Sequence, residues 1–247
     1  MKKKYKRIGL PEPYYQTELG TLYCGDCLEI MPYLPKVDLI LTDPPYGIGE
    51  SNEKNASRKG KACIAMPTDF GHYDWDKEKI DPEILVLIKK ISTNQIIFGG
   101  NYYGSVLGDT SCYLVWDKDN GKSDFADCEL AWTSFNTAVR KFTWKWSGML
   151  QQDMKHKEKR YHPTQKPIGL FHQILEKYSD SDMVILDPML GSGTTAIVCE
   201  RLNRRWVGIE QIKEYCEIAK QRLEKEVIVH ERGKAIKGIL ARNNKSK

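Results

Sequence analysis

No apolar run in this chain approaches the ~20 residues that cross a bilayer, which argues against a membrane protein. The start, Met1-Lys2-Lys3-Lys4-Tyr5-Lys6-Arg7, leads into polar, proline-containing sequence without the apolar core of a secretory signal, so a cytoplasmic location is expected. Cysteine is sparse: the seven thiols are odd in number and scattered, which speaks against a disulfide framework. Cys24-Gly25-Asp26-Cys27 has C-x-x-C spacing, but Cys63, Cys112, Cys128, Cys199 and Cys216 provide no second pair of soft ligands. Free thiols and no metal are the expectation. A phosphate-binding lysine is also missing: Thr194-Thr195 follow the glycine loop Gly191-Ser192-Gly193 where Gly-Lys-Thr would be needed. The one Gly-Lys-Ser, Gly121 to Ser123, lacks the earlier glycine and a preceding strand, so NTP hydrolysis is disfavoured.

What is present suits one soluble domain. The chain has 247 residues, 40% hydrophobic and 29% charged, enough for a substantial core in a single unit spanning 1–247. Strand patterns at Val37 to Thr42, Gln95 to Gly99, Tyr113 to Trp116, Glu129 to Trp132, Val184 to Asp187 and Trp206 to Glu210 alternate with helical ones. The helical patterns are Pro82 to Ile91, Pro167 to Tyr178, Thr194 to Leu202 and Gln211 to Lys225. The fold class that follows is α/β, a doubly wound, mostly parallel sheet with helices on both faces. Two segments break the alternation: polar Glu50 to Trp75, and basic, aromatic Phe135 to Tyr161.

Two short motifs carry the chemistry. Asp43-Pro44-Pro45-Tyr46 follows the apolar run Val37-Asp38-Leu39-Ile40-Leu41, and Asp187-Pro188-Met189-Leu190-Gly191-Ser192-Gly193-Thr194-Thr195 follows Met183-Val184-Ile185-Leu186. Both would sit at the carboxyl ends of buried strands, where open α/β sheets place ligands. The prolines fix the backbone, and the Asp43 carboxylate and Pro44 carbonyl can both accept from one NH2 group. Engaging both protons leaves the amine lone pair free to attack an activated methyl, with Tyr46 as a stacking plane. Gly191 and Gly193 would let backbone approach a ligand, and the Thr194 hydroxyl could cap the next helix. Glu210, about twenty positions further on at a strand tip, is placed to accept from ribose hydroxyls, so loop and acid together imply an adenosine cofactor.

With these motifs in view, the chain resembles the amino-methylating DNA methyltransferases that use S-adenosylmethionine. Asp43 to Tyr46 is similar to their catalytic tetrad, and Asp187, Gly191, Ser192, Gly193 and Thr194 with Glu210 to their cofactor loop and ribose acid. Arg160-Tyr161-His162-Pro163-Thr164-Gln165-Lys166-Pro167 resembles the block before that loop in the circularly permuted, beta-order branch, which puts Lys166 on the cofactor side. Tyr23 to Glu29 matches the same branch and places Asp26 near the adenine. The resemblance covers about Tyr23 to Leu223 and departs from the pattern at Met189, where an aromatic residue is common.

The resemblance implies a Rossmann-like fold with the catalytic half at 20–134, a small target-recognition insertion at 135–161, the cofactor-binding half at 162–225 and a basic tail at 226–247. It implies methyl transfer to adenine N6 in double-stranded DNA by base flipping, since tetrads that begin with Asp usually go with adenine. Cytosine N4 is the alternative; an RNA or protein-amide methyltransferase and a catalytically silent DNA-binding subunit are more distant ones. Cytosine C5 chemistry needs a cysteine nucleophile, commonly after proline, and no cysteine here follows one. Arg58, Lys59, Lys61, Arg140, Lys141, Lys145 and Lys157 are the DNA-contact candidates. Phe142, Trp144 and Trp146 alternate as one face of a strand would, and a core role for them stands open beside DNA contact. A homodimer and a cognate restriction enzyme are the protein partners left open.

Overall fold

A computed structural model describes residues 9–48, 78–121, 126–147, 150–162 and 164–228. Nine strands form one sheet in the order β1 (Tyr15–Gln16), β2 (Gly20–Cys24), β11 (Arg205–Glu210), β10 (Val184–Asp187), β3 (Val37–Thr42), β4 (Ser92–Phe98), β6 (Cys128–Thr133), β5 (Tyr113–Asp117) and β7 (Arg140–Thr143). From β2 to β4 the pairing is parallel; β6 runs antiparallel to both its neighbours, and β1 closes the other edge as a hairpin with β2. A small separate ribbon joins β8 (Trp146–Ser147) to β9 (Leu150–Gln151).

The strands are apolar on both faces because both faces are covered. Along β3, Leu39 and Leu41 join one core cluster and Ile40 the other; Ile185 and Leu186 of β10, and Ile96 and Ile97 of β4, divide in the same way. On the first face lie α4 (Ile168–Tyr178), α5 (Thr194–Leu202) and α6, a helix over residues 213–228; on the second lie α1 (Cys27–Ile30), α2 (Pro82–Ile91) and α3 (Gly104–Leu107).

Helix α2 starts where Asp81 accepts from the Glu83 amide at 2.9 Å and Pro82 occupies the first turn. It buries Ile84, Leu85, Ile88 and Ile91, at about 1.5–3 kcal/mol each before ordering entropy.

The expected double winding and the helices Pro82 to Ile91 and Thr194 to Leu202 are found with those bounds. Arg140–Thr143 extends the main sheet from β5, Phe142 and Trp146 are buried, and Trp144 packs against the core, so these aromatics are core residues. The described cysteines are free thiols, and no helix among the described residues is long and apolar enough to cross a membrane.

Candidate active site

Because β2, β11, β10, β3 and β4 run parallel, the residues that end them share one edge of the sheet. Glu210 is in register with Cys24, and Asp187 with Gly208; Asp43, Asp26 and Gly99 lie just beyond their strands. A cleft of about 1160 Å³ opens along this edge and reaches from Asp26 and Glu210 past the glycine loop to Asp43. The tetrad and the cofactor loop, far apart in sequence, therefore face one space.

Asp43 is the most constrained group in it. Its Oδ1 accepts from the Tyr46 hydroxyl at 2.5 Å, and its Oδ2 from the Lys166 ammonium at 2.5 Å. Burial pushes the Asp43 carboxyl up, Lys166 pulls it back and Glu129 pushes it again, with a net upward direction. Burial also drives the Tyr46 phenol well above its ordinary value, so Tyr46 is a neutral donor to the carboxylate. Tyr103 donates to the Pro45 carbonyl and holds the second proline in place. Tyr46 stacks on Tyr102 at 5.1 Å and 18°, and it lies so close to Gly99 that a Cβ there would fall 2.0 Å from its ring. With φ of +63°, Gly99 both turns the chain and leaves the ring its room.

Three neighbours saturate the buried Asp187: Thr42 at 2.9 Å, the Met189 amide at 3.1 Å and Thr195 at 2.6 Å. Its pKa is pushed up to about 6 by burial, against the pull of those donors. Asp187 thus braces the loop from within. Thr194 does not cap: Gly193 stands at the N-cap in the left-handed region, and the Thr194 hydroxyl donates to the Lys166 carbonyl at 3.3 Å. A side chain on Gly193 would press on Ala219 of α6, so this glycine serves helix packing, while the space beside Gly191 is open. Ser192 donates to Gln165 at 3.2 Å and accepts from Arg222 at 2.9 Å, which ties the loop to the segment before α4 and to α6.

Glu210 receives the Gly191 amide at 2.7 Å and the Ile212 amide at 2.8 Å, one on each oxygen. Burial raises it to about 7 despite these donors. Each oxygen keeps a second lone pair for a ligand hydroxyl. Asp26 caps α1 through the Leu28 amide at 2.9 Å and lines the same end of the cleft. His162, pushed down to about 3 by burial and by Lys166, is a neutral ring against Tyr215 at 4.5 Å.

The ammonium of Lys166, assigned to the cofactor by resemblance, is turned toward the tetrad: it touches Asp43 and, at 3.1 Å, Glu129 of β6. Glu129 in turn meets Lys118 at 2.6 Å. No motif singles out Glu129 or Lys118; an acid at the start of the strand pattern Glu129 to Trp132 is the one signal in the sequence. Of the candidate DNA cations, Lys141 pairs with Asp117 at 3.1 Å and Lys145 with Asp119 at 2.8 Å, while Arg140 and Lys157 are exposed. Arg58, Lys59 and Lys61 lie outside the described residues.

A family model described as DNA methylase matches residues 112–221. Type II methyltransferase M2.LlaDCHI of Lactococcus lactis subsp. cremoris is 27% identical over 266 residues, covering 90% of this chain and 96% of that protein. Type II methyltransferase M2.MboI of Moraxella bovis is 26% identical over 85% of this chain and 90% of its own length. The crystal structure of an M1.HpyAVI-SAM complex superposes with a TM-score of 0.53 at 24% identity, covering 83% of this chain and 100% of that one. PvuII DNA methyltransferase (cytosine-N4-specific) gives 0.56 at 17% identity over 89% of this chain and 94% of that one. These two structures show the shared fold. By family model and relatives the chain is similar to DNA methyltransferases of the amino-methylating group, which work at adenine N6 or cytosine N4. It resembles the permuted branch of that group, with its tetrad ahead of its cofactor loop.

Proposed function

We propose that this chain transfers a methyl group from S-adenosylmethionine to the exocyclic N6 amine of adenine in duplex DNA. The observation that carries the reading is the single cleft holding Asp43 at one end and Glu210 with Asp26 at the other. The donor set fits the cofactor: two carboxylates with lone pairs facing the cleft suit hydroxyl and amine donors, the backbone at Gly191 is uncrowded, and neutral His162 with Tyr215 gives an aromatic wall. Once bound, S-adenosylmethionine supplies a methyl on a sulfonium, an excellent leaving group that needs no metal. Glu210 and Asp26 hold its adenosine, and Gly191 allows close approach.

At the other end, the Asp43 carboxylate and the Pro44 carbonyl accept the two amine protons and leave the nitrogen lone pair exposed. An amine inside a stacked duplex cannot reach this cleft, so the base must be flipped out, at a cost of about a few kcal/mol. A base that stacks on the face of Tyr46 now covered by Tyr102 replaces that ring. Asp at the head of the tetrad is what favours adenine, through the resemblance.

The test is to incubate the purified chain with duplex DNA and S-adenosylmethionine labelled in its methyl group, then resolve the nucleosides. Label in N6-methyldeoxyadenosine is expected. Label only in N4-methyldeoxycytidine would overturn the adenine reading, and label in RNA or protein but not DNA would overturn the substrate class.

A further inference from the structure

Asp43, Lys166, Glu129 and Lys118 form an unbroken line of alternating charge running from the tetrad to the end of β5. Consecutive contacts are 2.5, 3.1 and 2.6 Å long. Lys166 is 6% exposed, so its ammonium has little recourse to water, and Glu129 Oε2 is closed off from solvent. The four groups come from β3, the segment before α4, β6 and the end of β5, elements that meet only in the folded protein. Keeping one buried and three half-buried charges is costly unless each has a partner, and one removed partner leaves a neighbour uncompensated.

We propose that Glu129 is a positioning residue for methyl transfer: by taking the Lys166 ammonium from the side away from Asp43, it fixes that cation and divides its charge, so that Asp43 stays a strong acceptor for the target amine. The inference rests on Asp43 being the catalytic acceptor proposed above. With Glu129 absent, Lys166 would neutralise Asp43 alone, and a weakened carboxylate would polarise the amine less. With Lys166 absent, Asp43 and Glu129 would face each other as like charges.

The charged and titratable groups around Asp43 support this. Tyr46 donates to it from its own loop, Lys166 from before α4, Glu129 acts from β6 and Asp187 from β10; Lys118 reaches it only through Glu129. Burial raises Asp43, Lys166 lowers it and Glu129 raises it. Burial would depress Lys166, but Asp43 and Glu129 hold it above its ordinary value, so the ammonium stays charged.

The two partners therefore act on Asp43 with opposite sign, which a merely structural role would not produce. The experiment measures the pH dependence of single-turnover methylation, with S-adenosylmethionine affinity, for the parent, Glu129→Gln, Lys166→Met, the double variant and Asp43→Ala. Glu129→Gln is expected to slow transfer about tenfold with cofactor affinity unchanged, and to move the acidic limb to lower pH. Lys166→Met is expected to move that limb to higher pH, and the double variant to lie between the two. Should Glu129→Gln fail to fold, Glu129→Asp keeps the charge on a shorter arm and is expected to slow transfer with little shift of the limb. A Glu129 variant with the parent's rate and limb overturns the proposal, as do limbs that move the same way in both single variants, or a loss confined to cofactor affinity. Asp43→Ala separates the two claims: full turnover there refutes Asp43 as acceptor, whereas an inactive Asp43→Ala beside an unaltered Glu129→Gln refutes only the role of Glu129.

Discussion

Cofactor affinity should depend on pH through Glu210. The Gly191 and Ile212 amides orient this carboxylate at the end of the cleft, yet burial leaves it with a pKa of about 7. If only the ionised form accepts both ribose hydroxyls, the apparent Kd grows by the factor 1 + 10^(pKa − pH). That factor is about 33 at pH 5.5 and about 1.1 at pH 8, so S-adenosylmethionine should bind about 30-fold more weakly at the lower pH. Glu210→Gln should weaken binding at pH 8 by about 1.5–3 kcal/mol, the usual worth of a hydrogen bond to a charged acceptor, and should flatten the remaining dependence. Titration calorimetry of both proteins from pH 5.5 to 8 separates Glu210 from the cofactor's own ionisation, which is common to both. Parallel curves for parent and variant would refute the assignment.

Three further outcomes follow from the same geometry. Asp187 has a folded pKa of about 6 against an ordinary 3.8, so the raised acid favours the fold at low pH; that advantage, on the order of 3 kcal/mol, is lost as pH rises through about 6. Denaturant midpoints of the parent should accordingly fall relative to Asp187→Asn between pH 4 and 7, and parallel midpoints would contradict the cost of burying this charge. Gly99→Ala combines a left-handed φ of +63° with a Cβ 2.0 Å from the Tyr46 ring, so it should displace Tyr46 and cut methyl transfer about tenfold or more while cofactor affinity holds; unaltered turnover would show that the ring position is unimportant. A Lys141, Lys145 and Lys157 to Ala variant breaks only two surface pairs with Asp117 and Asp119, so the fold should persist while the salt dependence of DNA binding becomes shallower by up to about 2.7 in log–log slope. A slope equal to the parent's would move the DNA surface elsewhere.

The parallel core was legible because each strand there carries its own signal: a short apolar run that ends in a turn. Helices α2 and α5 were readable to the residue, the first from Pro82 and the second from the glycine loop before it. Strand β2 escaped because Gly20-Thr21-Leu22-Tyr23-Cys24 is short and has only two buried members, and its place in the sheet comes from pairing with β11. In β7, exposed Arg140 and Lys141 precede the buried Phe142, and those two cations read as well for a nucleic-acid face as for an edge strand.

At the site, Asp43, Glu210 and the glycine loop were visible since each sits in a local motif. Glu129 was not: its meaning depends on β6 running antiparallel to β4 and bringing the acid to Lys166, a contact between positions 37 residues apart in sequence (129 and 166). The cap expected from Thr194 failed for a related reason. Gly193, in the left-handed geometry that packs on Ala219, itself stands at the N-cap, so Thr194 is already the first helical residue and its hydroxyl turns to the Lys166 carbonyl.

Methylation in a living host tests the central claim most directly. A methylation-deficient bacterium expressing the chain, and in parallel its Asp43→Ala variant, is sequenced with a readout that separates N6-methyladenine from N4-methylcytosine. N6-methyladenine at one recurring sequence with the parent, and none with Asp43→Ala, is the predicted result. N4-methylcytosine in its place, or modification that persists undiminished in Asp43→Ala, would contradict the account.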